Sequence, residues 1–262
     1  MASLAGRASP GAEKGAGRVT KLAGRVALVT GAGRRVGRAI AVALGAQGMR
    51  VAVHYNESVD GARDTASIIE DGGGTAALVR ADLTQVTACE QLIDALVLEH
   101  GELHTLVNSA AVMLRTPVGS VSQEQWDAMF ALNVRAPFFL AQHAAPALRT
   151  ARGNVVNIAD LAAFETWTGY VPHGMTKAAV VQMTRALAHT MAPDVRVNAV
   201  APGVVLLPDD FDPDTAEHLR RTTPLRRIGT PEDVADAVLY LVHAEFVTGE
   251  VITVDGGRHV RR

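Results

Sequence analysis

Cysteine is almost missing from this chain: 262 residues contain one, Cys89. A single thiol can form neither an internal disulfide nor a cysteine-rich zinc site, which suits a reducing compartment and a buried, unreactive role. Aromatic residues make up only 4% of the sequence. Neither sign of charge is in excess, with 25 Lys and Arg against 27 Asp and Glu. That balance points away from a nucleic-acid-binding surface. No apolar run approaches the roughly 18 residues that a membrane span needs. The nine histidines form no H-x-x-x-H or H-E-x-x-H pair within a helical pattern, so no metal site is expected. What remains is a soluble, cytoplasmic α/β protein, long enough to bury a sizeable core without staples.

Glycine, by contrast, is plentiful at 24 residues, and its placement is informative. Residues 1–21 combine small residues, Gly, Pro and mostly basic charges without an apolar stretch, and read as a disordered tail rather than a signal peptide. From Arg25 onward, short apolar runs alternate with helical patterns. The runs are Val26–Thr30, Arg50–Tyr55, Thr75–Arg80, Thr105–Ser109, Asn154–Ile158, Val195–Ala201 and Val251–Val254. The helical stretches include Val36–Gln47, Val59–Glu70, Thr87–His100, Gln123–Leu148, His173–Met191 and Pro231–His243. Near-continuous apolar strands, each followed by a helix, indicate a parallel sheet covered on both faces. One doubly wound α/β domain of about seven strands over residues 22–262 is expected.

The first strand runs directly into Thr30-Gly31-Ala32-Gly33-Arg34-Arg35-Val36-Gly37 and then a helix. Glycine allows the tight turn and a close backbone approach to a pyrophosphate, and the helix N-terminus favours the anion. With this turn the sequence resembles the short-chain dehydrogenase/reductase family, a Rossmann-type fold, over nearly all of residues 22–257. The family's turn reads T-G-x-x-x-G-x-G; here Arg35 replaces the middle glycine, as in the pteridine reductase branch. Asp82-Leu83, Asn108-Ser109-Ala110-Ala111, Asn133, Pro202-Gly203, Pro231-Glu232-Asp233-Val234-Ala235 and Val254-Asp255-Gly256-Gly257 follow in the family's order.

The resemblance implies a nicotinamide cofactor. An acidic residue ending the second strand would bind the ribose 2′-OH and repel a 2′-phosphate. Tyr55 stands there instead, and Arg34 and Arg35 in the adjacent turn can pair with a phosphate, so NADPH/NADP+ is expected over NADH. Glu57 argues the other way. The cofactor set implied is Gly31, Gly33, Arg34, Arg35, Val36, Gly37, His54, Tyr55, Asn56, Ser58, Asp82, Leu83, Asn108, Ser109, Ala110, Ile158, Lys177, Pro202, Gly203 and Val205.

The family's catalytic Ser, Tyr and Lys fall at Asp160, His173 and Lys177 when the sequences are matched through Lys177, with Asn133 as the relay Asn. Asp in place of Ser again resembles pteridine reductases, whereas His in place of Tyr departs even from them. His173 can serve as a general acid supported by Asp160, as a substrate-orienting group, or as a residue drifted from use. Tyr170, three residues earlier, offers another proton donor or a pocket wall. Asp160 suits a substrate with a protonated ring nitrogen or iminium, and it can also cap the loop that follows it.

The substrate pocket is expected from Arg34, Met113, Asp160, Phe164, Trp167, Tyr170, His173 and Leu206. Residues 204–224 fall where the family has its mobile lid. Trp126, Phe138 and Phe139 read as core or subunit interface. The expected activity is NADPH-dependent reduction of a small heterocyclic or imine-containing (C=N) substrate by a homo-oligomer, a tetramer or dimer. A non-redox isomerase, dehydratase or cyclase, an atypical carbonyl reductase, and an NADPH-binding protein without catalysis remain open.

Overall fold

Val26, Ala27, Leu28 and Val29 have no side-chain surface left for solvent, because the strand they form lies at the centre of a sheet covered on both faces. The computed structural model describes residues 22–207 and 212–260. The readings of residues 1–21 as a tail, and of positions 208–211 within the lid, lie outside the described residues. Seven parallel strands form one sheet: β1 (Val26–Val29), β2 (Arg50–Tyr55), β3 (Thr75–Arg80), β4 (Thr105–Asn108), β5 (Asn154–Ile158), β6 (Arg196–Pro202) and β7 (Val251–Val254). Their order is β3-β2-β1-β4-β5-β6-β7. Val29 pairs with Val53 on one side and Val107 on the other, so the chain reverses its direction of growth at β1/β4. Such a reversal opens a crevice beyond the carboxyl ends of the strands.

Helices α1 (Arg35–Ala46), α2 (Val59–Asp71) and α3 (Val86–His100) return the chain between the first four strands. Farther along are α4 (Gln123–Phe130), α5 (Ala136–Ala151), α6 (Val171–Met191), α7 (Pro213–Thr222) and α8 (Pro231–His243). One face of the sheet is sealed by Ile40, Leu44, Ile69, Val238 and Leu241 from α1, α2 and α8. The other is sealed by Leu92, Ile93, Leu96, Leu140, Leu148 and Met191 from α3, α5 and α6. Each fully buried aliphatic side chain contributes roughly 1.5–3 kcal/mol of transfer free energy. Cys89 belongs to this second layer, and burial pushes its thiol up to about 11, which removes it from thiolate chemistry.

The strands match the apolar runs to within two residues at either end, but three helical segments differ. The stretch 123–148 is not one helix: a π-helical turn, Ala131–Arg135, separates α4 from α5. Pro137 has no N–H to donate to the carbonyl of Asn133, four residues back, and the helix widens at that point. Helix α6 begins at Val171 rather than His173, with Pro172 in its first turn. Within the expected lid, Asp212 accepts a hydrogen bond from the Thr215 amide (2.9 Å) and starts α7.

Candidate active site

The turn after β1 is built by close contacts that only glycine permits. Gly31 has φ +65°, and a Cβ there would lie 2.9 Å from Ala110 Cα. A Cβ on Gly37 would strike the Gly31 carbonyl, while one on Gly33 would press within 3.1 Å of the Ser58 carbonyl. The turn is thus packed against the end of β4 and the start of α2. Thr30 Oγ1 accepts from the amides of Ser109 (2.9 Å) and Ala110 (3.0 Å), joining the ends of β1 and β4.

Beyond the turn lies a cavity of about 920 Å³. Gly31, Gly33, Arg34, Arg35, Val36 and Gly37 line one side; His54, Tyr55, Asn56, Ser58, Asp82, Leu83, Ser109, Ala110 and Met113 complete it. The structure therefore brings most of the expected cofactor residues together. It adds Glu57, Ala81, Thr84, Ala111, Val112 and Leu132 to the wall. Thr84 was findable: its amide and hydroxyl both bond Asp82 Oδ1 (3.0 and 2.7 Å), a short-range turn that follows from an Asp two residues before a Thr. A dinucleotide fits this cradle, since Gly31, Gly33 and Gly37 present bare backbone to a cavity of this size and two guanidinium groups stand exposed beside it. Arg35 adopts φ +54°, a region favoured by glycine, and its Nη2 donates to the Leu206 carbonyl at 3.2 Å. The residue standing at a glycine position thus ties the turn to the first part of the lid.

Asn108 is set back from the cavity. Its Nδ2 donates to Asn157 Oδ1 (2.9 Å), and Asn157 Nδ2 donates to Thr184 Oγ1 (2.9 Å), a buried chain linking β4, β5 and α6. Asn133 occupies the π turn. Its Oδ1 accepts from the Val112 amide (2.9 Å), and its Nδ2 donates to the Val112 carbonyl (2.9 Å) and to Thr176 Oγ1 (3.1 Å). That amide clamps the β4–α4 loop to the residue immediately before Lys177.

Lys177 is buried, and its Nζ donates to the Ile158 carbonyl at 2.8 Å. Burial brings its pKa down from 10.5 to about 8, while the nearby Asp160 charge opposes the shift. One turn earlier on α6, His173 is 2% exposed, with its Nε2 3.6 Å from Asp160 Oδ2. That separation is an ionic contact only when the ring is protonated, and neither ring nitrogen has a hydrogen-bond partner. Asp160 Oδ1 is engaged separately, accepting from the Ala162 amide (2.8 Å) as cap of the short Leu161–Ala163 turn. Of the two roles the sequence left open for Asp160, the loop cap is present on Oδ1, while Oδ2 faces the histidine.

Tyr170 sits at the start of α6 with its ring edge-on to Trp167, centroids 6.3 Å apart, and Trp167 Nε1 donates to Glu165 Oε2 (3.0 Å). The Thr116 amide donates to the Gly169 carbonyl (2.8 Å), which brings the loop carrying Met113 against this segment. Met113, Phe164 and Leu206 leave large apolar surfaces exposed, at 46%, 52% and 39%. Pro202 and Val205 are buried, and the Gly203 amide donates to the Val254 carbonyl (2.9 Å). Away from the site, Trp126 stacks on Phe130 (4.5 Å) and Phe138 stays 40% exposed. Among the described residues, no cluster of His, Cys, Asp and Glu could hold a metal ion, and no helix is long and apolar enough to cross a membrane.

Comparison with known proteins agrees with this architecture. A family profile described as enoyl-(acyl carrier protein) reductase matches residues 31–259. The chain is 40% identical over 243 residues to a Streptomyces violaceoruber protein described as a ketoacyl reductase of the granaticin polyketide synthase, covering 90% of this chain and 96% of that one. It is 33% identical to 3beta-hydroxysteroid dehydrogenase 1 of Eggerthella lenta, covering 90% and 94% of the two chains. Its backbone is similar to a crystal structure described as a short-chain alcohol dehydrogenase from Sinorhizobium meliloti 1021, with TM-score 0.88 and 34% identity over 93% of this chain and 100% of that one. The chain belongs to the short-chain dehydrogenase/reductase family, as an oxidoreductase that binds an NAD(P)(H)-type cofactor.

Proposed function

We propose that this protein is an NADPH-dependent reductase of a small, flat substrate containing a C=N bond, similar in its site to pteridine reductases. The observation that carries this reading is the Asp160–His173 pair at 3.6 Å, one helical turn from Lys177, where the family has Ser and Tyr. A carboxylate with one free oxygen can hold a protonated ring nitrogen or iminium, which is already activated for hydride attack. When bound, the cofactor would supply a hydride to carbon; a neutral imine takes up one proton to become the iminium, and the iminium needs no second one. His173 moves that proton, Asp160 orients the nitrogen and supports the imidazolium, and Lys177 holds the nicotinamide ribose. Asn133 anchors the solvent relay beside Lys177. Arg34, Met113, Phe164, Trp167, Tyr170 and Leu206 shape the pocket, where a flat ring can stack on the aromatic side chains.

Arg34 and Arg35, both exposed at the cavity rim, support NADPH over NADH, with Glu57 as the opposing charge. The other expected cofactor residues, from Gly31 round to Val205, are assigned to the same site, with Asn108 supporting it from behind the cavity wall. We take residues 22–262 as one Rossmann-type unit acting in the cytoplasm as a homo-oligomer.

Carbonyl reduction is the second reading, favoured by one observation: a ketoacyl reductase, a hydroxysteroid dehydrogenase and a Metarhizium guizhouense hydroxynaphthalene reductase-like protein are 33–40% identical to this chain. The two readings separate in one assay. Purified protein with NADPH is offered cyclic imines and dihydropterins in one series and fused-ring ketones in another, with absorbance followed at 340 nm. Turnover of the first series alone supports the proposal; turnover of the second alone replaces it. Product formed without loss of NADPH in either series would assign a non-redox reaction.

A further inference from the structure

His54 is the penultimate residue of β2, lines the dinucleotide cavity and is 2% exposed. The Gly31 amide donates to its Nδ1 at 3.1 Å. A peptide N–H can only donate, so Nδ1 is a bare acceptor, and the proton of the neutral ring sits on Nε2. Nε2 then donates to the Ala81 carbonyl, also at 3.1 Å. Burial, opposed by that bond to Ala81, lowers the imidazole pKa from 6.5 to about 4, in keeping with a ring held neutral. Backbone bonds run alongside: the Ala32 amide donates to the His54 carbonyl (2.9 Å) and the Ala81 amide to the Tyr55 carbonyl (3.2 Å).

One side chain therefore spans the glycine turn and the end of β3, the two segments that approach the cavity from opposite sides. Both ring nitrogens are spent on backbone, so His54 has no polar atom left for a ligand. We infer that His54 is a positioning residue of the dinucleotide site: by accepting from Gly31 and donating to Ala81, it holds the left-handed turn and the Asp82–Leu83 segment at the spacing the cofactor requires. The inference rests on the dinucleotide reading of the cavity and changes the expected role of His54, from a ligand contact to a residue that acts through its neighbours.

Equilibrium binding of NADPH to three variants tests it. His54→Asn keeps an acceptor near Nδ1, His54→Gln places an amide near Nε2, and His54→Phe fills the space without either bond. Leaving a buried amide unpaired is expected to weaken binding about 10- to 100-fold in His54→Phe, with His54→Asn restored to within about 5-fold of the natural protein and His54→Gln in between. If His54→Phe fails to fold, the order of Asn over Gln carries the test. Equal affinities in all variants, or Gln binding as tightly as Asn or tighter, would overturn the inference. A natural protein that binds neither NADPH nor NADH would instead overturn the dinucleotide reading, and this inference with it.

Discussion

His173 Nε2 and Asp160 Oδ2 face each other at 3.6 Å in a pocket that leaves the imidazole 2% exposed. The two oxygens of Asp160 have separable tasks, so substitutions can divide them. Asp160→Asn keeps an acceptor for the Ala162 amide and removes the charge. Activity is expected to fall about 10²- to 10⁴-fold, the usual worth of a positioned acid–base group, with no change in melting temperature. Asp160→Ala should lose the same activity and about 1 kcal/mol of stability besides, from loss of the cap. Thermal melts beside initial rates check both.

His173→Tyr restores the family's proton donor one turn before Lys177. Gain of ketone reduction by this variant, measured with NADPH at 340 nm, is expected together with a loss of imine reduction. His173→Gln, which can hydrogen-bond but cannot carry a proton, should lose about 10²-fold or more in kcat.

Lys177 is expected to set the alkaline limb of NADPH binding. Its folded pKa, about 8, lies below the ordinary 10.5, so the ammonium is lost as pH rises through about 8. NADPH binding that uses this charge should weaken above that pH, and Lys177→Met should remove the limb while weakening binding throughout. Between about 8 and 10.5 the unfolded chain holds a proton that the folded chain has released, so this group makes the fold more stable as pH rises through that window. Binding isotherms and urea denaturation at several pH values measure the two effects.

How much of this could be read in advance depended on the kind of signal. The strands were legible because continuous apolar runs such as Val26–Val29 suit a strand buried on both faces of a parallel sheet. The glycine turn was legible because three glycines fell at one strand–helix junction. The π turn was not, since it depends on a missing donor at Pro137 acting on Asn133 four residues away. Nor was the division of Asp160 between cap and His173, which requires the fold of the loop to Tyr170. The bond from Arg35 to Leu206 joins residues 171 positions apart, beyond any local pattern.

Arg35 combines a strained backbone with a useful charge. A non-glycine residue in the left-handed region costs roughly 1 kcal/mol, so Arg35→Gly is expected to raise stability by up to about 1 kcal/mol in chemical denaturation. The same variant should bind NADPH about 10-fold more weakly while its affinity for NADH stays within about 2-fold, because only the first carries a 2′-phosphate for the guanidinium.

The most direct test follows a single turnover of NADPH with a cyclic imine and with a matched ketone, in the natural protein and in Asp160→Asn. The free carboxylate oxygen facing His173 predicts stoichiometric oxidation with the imine, little with the ketone, and loss of the imine reaction in the variant. Reduction of the ketone alone, at the same rate in both proteins, would contradict it.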